Sequence, residues 1–120
     1  MLPRDKRLNL KKDFKWVAAG KKIETRFAKL FINSGENTFP KIGIAGSSKN
    51  FKKATNRNRA RRLVSNAFES LYPSLPPTIN IVALPKQGVL EVKSSEVLQD
   101  LEEVLKREGV IARNVVTKQS

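Results

Sequence analysis

The chain has 120 residues, 39% of them hydrophobic, which is enough for one domain with a single core. Its formal net charge of +13 at pH 7 predicts an anionic partner, with nucleic acid favoured over an acidic membrane surface. The absence of cysteine and histidine excludes disulfides, Cys/His zinc sites, thiol nucleophiles and histidine acid–base chemistry.

The predicted elements of the first half are a helix over residues 10–19, a strand over 25–33 and a second strand over 39–46. Asn9 can cap the helix and Gly20 can end it. The second strand is expected to pair with the first as a hairpin, through a turn rich in Ser, Gly and Asn.

The predicted strand over 25–33 has two unlike faces. Its period-2 pattern places Phe27, Lys29 and Phe31 together on one face. An alternating aromatic face is ordinarily the core side of a strand, but Lys29 would then point into the core. We therefore interpret this face as an aromatic and cationic groove suited to stacking on unpaired bases, with the core as the alternative.

Residues 51–62, FKKATNRNRARR, form the most cationic segment of the chain. An apolar pattern of helical period follows, so the segment opens an amphipathic helix with Thr55 or Asn56 as the expected N-cap. Helical spacing brings to one side Arg57, Asn58, Arg61, Arg62 and Ser65, with Arg59 on the opposite flank. Guanidinium groups bind phosphates, and no acid interrupts the run before Glu69. The segment therefore predicts a phosphate-binding surface rather than an ordinary solvated face.

The second half of the chain is nearly neutral, since residues 1–62 carry a formal +14 and residues 63–120 carry −1. Its predicted elements are a buried strand over 78–84, a helix over 96–108 capped by Ser94 or Ser95, and a last short strand over 110–116. The whole order indicates an α+β sandwich of helices over a small sheet. We expect one domain over residues 1–120, with its core at about 7–116 and a polar tail at 117–120.

No targeting segment is predicted. The N-terminal MLPRDKRLNL lacks the apolar core of a signal peptide, and no apolar run approaches the ~20 residues that span a bilayer. A cytoplasmic protein is therefore expected.

The segment FKKATNRNRARRLVSNAF resembles the signature region of the protein subunit of bacterial ribonuclease P. The matching positions are Ala54, Arg57, Asn58, Arg59, Ala60, Arg61, Arg62, Leu63, Ala67 and Phe68. The flanking segments RLNLKKDFKWVAAGKK, KIGIAGSSK and INIVAL are also similar to the family, so the resemblance covers Arg7 to about Leu105. It implies a fold like the second domain of ribosomal protein S5, a small mixed sheet with helices and a left-handed βαβ crossover around the arginine helix.

The resemblance implies a protein subunit of the ribonucleoprotein that removes the 5′ leader of precursor tRNA. Catalysis would then reside in the RNA subunit, which together with the substrate would hold Mg²⁺. No catalytic or metal-binding residue is therefore expected in this chain. The implied partners are ribonuclease P RNA and precursor tRNA, with no membrane and no obligate protein partner.

The family's contacts, carried onto this sequence, fall into two groups. The catalytic RNA would be bound by Arg57, Asn58, Arg59, Arg61, Arg62, Lys49, Lys52 and Lys53. The 5′ leader would be bound in a cleft between the first helix and the sheet, lined by Phe14, Trp16, Phe27, Lys29 and Phe31. Ala18, Lys52 and Leu84 depart from the family pattern, which leaves the loop geometry and the leader contacts open.

Charge and fold class allow one alternative equally well, a ribosomal or general RNA-binding or chaperone protein without a role in cleavage. A stand-alone phosphodiesterase would need clustered carboxylates, whereas the acids of the basic half are scattered over different elements. A helix-turn-helix DNA reader would need a second helix directly before the arginine helix, and none is predicted.

Overall fold

The structure, a computed structural model, describes residues 4–46 and 51–111. Its main elements are α1 (Leu10–Ala18), β1 (Lys21–Glu24), β2 (Ala28–Ser34), β3 (Lys41–Ile44), α2 (Ala54–Leu71), β4 (Ile79–Pro85) and α3 (Ser94–Arg107). The predicted α+β class is confirmed. Most of the last predicted strand, residues 112–116, lies outside the described residues.

The four strands form one mixed sheet in the order β1-β2-β4-β3. β2 is antiparallel to both β1 and β4, and β3 is parallel to β4. The predicted hairpin between the strands over 25–33 and 39–46, which correspond to β2 and β3, is therefore wrong. β4 separates them because nearly all of its residues are buried, and a strand that is apolar on both faces is stable only when it lies inside the sheet with both faces covered.

The two faces of the sheet pack against different helices. On one face Leu30, Ile81 and Ile42 lie in the main core cluster, which also contains the inner faces of α2 and α3. On the other face Val82 packs against Val17 of α1 and against Leu8. The molecule thus has three layers, with α1 on one side of the sheet and α2 with α3 on the other.

Sequence reasoning missed β1 and placed the start of the next strand too early. β1 is polar except for the buried Ile23, so it lacks a strand-like pattern. Thr25 begins the tight turn between β1 and β2, where its hydroxyl accepts hydrogen bonds from the backbone N–H groups of Phe27 and Ala28. Asp100 of α3, almost fully buried, accepts from the N–H of Phe27 at 3.2 Å and fixes the same turn.

The helix boundaries agree with the predictions except at two N-caps. Asn9 caps α1 by accepting from the N–H of Lys12, as predicted. The cap predictions for α2 and α3 are wrong by one to three residues, because the extended residues that precede these helices are Lys53 and Lys93. α3 is closed by Gly109, whose φ of 76° is the left-handed conformation that glycine adopts without strain.

The parallel pair β3 and β4 is joined through α2, which makes a βαβ unit around the arginine helix. The unit places the N-terminus of α2 beside the end of β3, where Gly46 meets the side chain of Arg57. The left-handed sense of this crossover stays a prediction.

Candidate nucleic-acid interface

The first surface of interest surrounds the N-terminal half of α2. It consists of five exposed cations, Lys52, Lys53, Arg59, Arg61 and Arg62, and we call it the α2 cationic surface. Between residues of the ranges 4–46 and 51–111, ion pairs join lysines and Arg107 to glutamates of β1, of α3 and of the residue that follows α3, and none involves an arginine of α2. The arginine heads are therefore available to an anionic partner.

Arg57 differs from these five residues because it is partly buried. Its Nη1 donates to the backbone oxygen of Phe51 at 3.0 Å, and Phe51 itself is buried. Its aliphatic stem lies over Gly46, where a Cβ would come within 2.6 Å of the Arg57 Cγ. Arg57 thus joins the end of β3 and the residues before α2, in addition to any contact that it makes with RNA.

Replacing Arg57 by alanine is expected to lower the free energy of unfolding by about 1–2 kcal/mol, through loss of the bond to Phe51 and of the stem packing on Gly46. The matched variant Arg61→Ala removes an exposed guanidinium group and should change the free energy of unfolding by less than ~0.5 kcal/mol. Urea denaturation of both variants measures the difference. Equal losses would show that Arg57 has no anchoring role.

The remaining predicted contacts to the catalytic RNA are Asn58 and Lys49. Asn58 is exposed on α2 next to the arginines. Ser65 follows one turn after Arg61 on the same side of the helix but is only 2% exposed, so it does not contribute to the exposed surface. Lys49 lies outside the described residues.

The second surface is a cleft between α1 and the sheet, which we call the α1 cleft and define by Phe14, Lys29, Phe31 and Leu84. Phe14 of α1 and Phe31 of β2 are partly buried and pack on the same cluster around Val82. Register places Lys29 opposite Leu84, one pair further along this face. The cleft therefore combines two partly open aromatic rings with a cation.

From the sequence, Leu84 is identified only as a departure from the family pattern. The alternation Asn80, Val82, Leu84 within the buried strand could have identified it as a lining residue, once the register with β2 was known.

Glu24 is the carboxylate opposite Lys29 in the β1–β2 register. The pKa of Glu24 lies below its ordinary value, chiefly because Lys86 Nζ donates a hydrogen bond to its carboxylate at 2.8 Å and adds a positive charge there. Lys29 and Lys22 lower the pKa further. The carboxylate of Glu24 is thus bound by Lys86. Although the register places Glu24 opposite Lys29, it therefore neutralises the charge of Lys29 only in part.

Two residues predicted for the cleft lie elsewhere. Phe27 is buried in the main core cluster on the opposite side of the sheet, because it belongs to the turn that Thr25 begins and not to the alternating strand. Trp16 lies on the other flank of α1, since a step of two residues along a helix turns the side chain by about 200°. Its ring contacts Gly35, beyond the end of β2.

A metal ion bound by the protein itself would need a cluster of ligand side chains. Within the described ranges, His, Cys, Asp and Glu side chains form no group of three or more that could hold a metal ion. Within these ranges the protein alone therefore offers no carboxylate cluster for Mg²⁺. No helix in this part of the chain is long and apolar enough to cross a membrane.

Comparison with known proteins identifies the family. A family model described as ribonuclease P matches residues 2–109. The chain belongs to the ribonuclease P protein family. A ribonuclease P protein component from Chlamydia muridarum is 37% identical over 74% of this chain and 75% of its own length. One from Nitrosococcus oceani is 32% identical, with coverages of 75% and 76%.

The fold is also similar to a solved member. The ribonuclease P protein from Thermotoga maritima has a TM-score of 0.74 and 27% identity, covering 84% of this chain and 96% of that protein. Membership makes the chain a protein component of an endoribonuclease that processes tRNA, a ribonucleoprotein whose other component is ribonuclease P RNA. The family resemblance stated from the sequence is thereby confirmed.

Proposed function

We propose that this ribonuclease P protein binds the catalytic RNA through the α2 cationic surface and the 5′ leader of precursor tRNA in the α1 cleft. It thereby assists the Mg²⁺-dependent cleavage that yields the mature 5′ end of the tRNA. The observation that carries the proposal is the set of exposed arginines on α2 without carboxylate partners in the described part of the chain.

The cations of α2 suit a folded RNA because their arrangement favours phosphates. Each exposed guanidinium can donate two parallel hydrogen bonds to a phosphate. Neutralising several phosphates releases condensed counterions, which is the main source of sequence-independent affinity. The N-terminus of α2 has no acidic residue in its first turn and no side-chain cap, so its N–H groups add to the positive potential.

The α1 cleft suits a single strand. Phe14 and Phe31 are only partly buried, so unpaired bases can stack on them, and Lys29 supplies a charge for the strand's phosphates. Because α1 and α2 cover opposite faces of the sheet, the two surfaces can engage different RNA segments at the same time. A protein of net charge +13 would lower the repulsion between two polyanions that must come together.

Catalysis is assigned to the RNA subunit, and Mg²⁺ is proposed to be held by that RNA and the substrate. This proposal agrees with the lack of a carboxylate cluster among the described residues. The cytoplasm, where tRNA precursors are processed in bacteria, is the proposed location.

The cleft assignment predicts a leader-dependent effect of Phe31→Leu, which keeps an apolar side chain against the cluster around Val82 but removes the aromatic ring. Affinity of the holoenzyme for precursor tRNA with a single-stranded leader should fall about tenfold, within the range for loss of one stacked base. Affinity for mature tRNA should not change. Filter binding with both tRNAs measures the effect.

A charge variant and its control complete this test. Lys29→Gln should weaken leader binding about threefold, whereas Lys93→Gln removes the same charge beside α3 and should have no effect. If Lys29→Gln weakened binding of precursor and mature tRNA equally, the leader would not bind in the α1 cleft. If the protein fails to stimulate cleavage by its cognate RNA at low Mg²⁺, the alternative of a general RNA-binding protein is favoured.

A further inference from the structure

Trp16 is the most exposed large hydrophobic side chain in the described ranges, with 44% of its surface open. It lies on the flank of α1 away from Phe14 and therefore outside the α1 cleft. Its ring rests on backbone, because Cη2 lies so close to Gly35 that a Cβ there would be 2.8 Å away. Any side chain other than glycine at position 35 would displace the ring.

The support beneath this ring is rigid. Asn33 Nδ2 donates to the backbone oxygen of Trp16 at 3.0 Å, which ties α1 to β2 at this point. Asn80, only 4% exposed, donates to Asn37 Oδ1 at 2.8 Å and to the backbone oxygen of Asn33 at 3.4 Å. An aromatic ring held in place before binding loses little conformational entropy when a second ring stacks on it.

The surroundings of Trp16 are cationic. Lys12 is exposed one helical turn before it on α1. Lys41 pairs with Asn80 in the β3–β4 register, at the same end of the sheet. Lys41 also lies over Phe39, with Nζ 5.6 Å from the ring centroid. Lysines beside an open indole are complementary to a nucleotide, whose base offers a π-face and whose phosphate is an anion.

We propose that Trp16 is a stacking platform for an unpaired base of RNA, separate from the α1 cleft. This inference rests on the proposed function only in requiring that the partner be RNA. Phe31 and Gly35 are four residues apart, about 13 Å at about 3.3 Å per residue. Trp16 also lies on the flank of α1 away from Phe14, so a base stacked on Trp16 is not the base held in the cleft. The platform therefore binds a second unpaired position, either further along the leader or in ribonuclease P RNA.

Trp16 is the single tryptophan of the chain, so its fluorescence reports this surface alone. The first experiment titrates the Phe31→Leu protein with single-stranded oligoadenylate. We expect saturable quenching of Trp16, because base stacking on the indole persists when the cleft is impaired. Parallel titrations with ribonuclease P RNA and with precursor tRNA, each alone, distinguish the two sources of the base.

The second experiment measures affinity for the same oligonucleotide at several salt concentrations. Trp16→Ala should weaken binding about tenfold and Trp16→Phe about twofold, because phenylalanine retains a stacking face. The slope of affinity against salt should be unchanged in both, since no charge is removed. Lys93→Gln serves as the control for a remote surface change.

Three results would overturn the proposal. They are the absence of quenching, quenching that disappears in Phe31→Leu, and a fluorescence change that depends on protein concentration without RNA, which would mean that a second copy of the chain covers the ring. Each result is distinguishable from failure of the proposed function, because cleavage stimulated by the protein at low Mg²⁺ would persist while the Trp16 platform was disproved.

Discussion

Replacing Arg61 and Arg62 together by glutamine is expected to lower affinity for ribonuclease P RNA about a hundredfold at physiological salt. Each lost charge-assisted contact contributes about 1.5 kcal/mol or more, and the two arginines are exposed neighbours on α2. The dependence of affinity on salt should become shallower, because fewer counterions are released. Stimulation of precursor-tRNA cleavage at low Mg²⁺ should be lost in parallel.

The matched control is Lys106→Gln with Arg107→Gln, which removes two cations from α3. Lys106 pairs with Glu102 and Arg107 lies beside Glu108, so this end of α3 is locally neutralised. Its affinity for RNA should be nearly that of the parent protein. If both double variants lost affinity equally, net charge and not the α2 cationic surface would determine binding.

Replacing Phe68 by alanine is expected to cost about 3–5 kcal/mol of unfolding free energy. The ring is fully buried on the inner face of α2, where it belongs to the cluster shared by α3 and the sheet. Alanine would bury less apolar surface and leave a cavity. The neighbouring side chains are themselves buried and closely packed, so they cannot move to fill it. Urea denaturation followed by circular dichroism measures the loss.

The corresponding control is Phe39→Ala, at a side chain that is 37% exposed, where the cost should stay below ~1 kcal/mol. A small effect of Phe68→Ala would mean that α2 is not part of the cooperative core. The βαβ unit would then lack the support that holds Arg57 against Gly46.

Local sequence patterns were sufficient to locate individual helices and strands. The helical period located α1, α2 and α3, and the β-branched run located β4. The order of the strands could not be predicted in the same way, because pairing depends on which strand is most buried after folding. β1 escaped detection because only Ile23 among its four residues is buried.

The candidate site was predictable to a similar extent. The exposed positions of Arg59, Arg61 and Arg62 follow from helical geometry alone. Phe27 could not be excluded from the cleft, because the turn that redirects it depends on Asp100, more than seventy residues away. Trp16 is included in the cleft by the family resemblance although helical spacing puts it off the face of Phe14, and its support at Gly35 depends on a contact between distant segments that local patterns do not show.

The central place of β4 has a consequence for how the chain is made. β4 is the last strand in the described sequence, yet β2 and β3 are joined only through it. A growing chain that ends after α2 would already carry all of its excess positive charge, but β3 would have no strand to join it to the β1–β2 pair. Pairing of distant segments is slow compared with helix formation. The chain therefore acquires a shaped surface for RNA only after residues 79–85 have been synthesised and have left the ribosome.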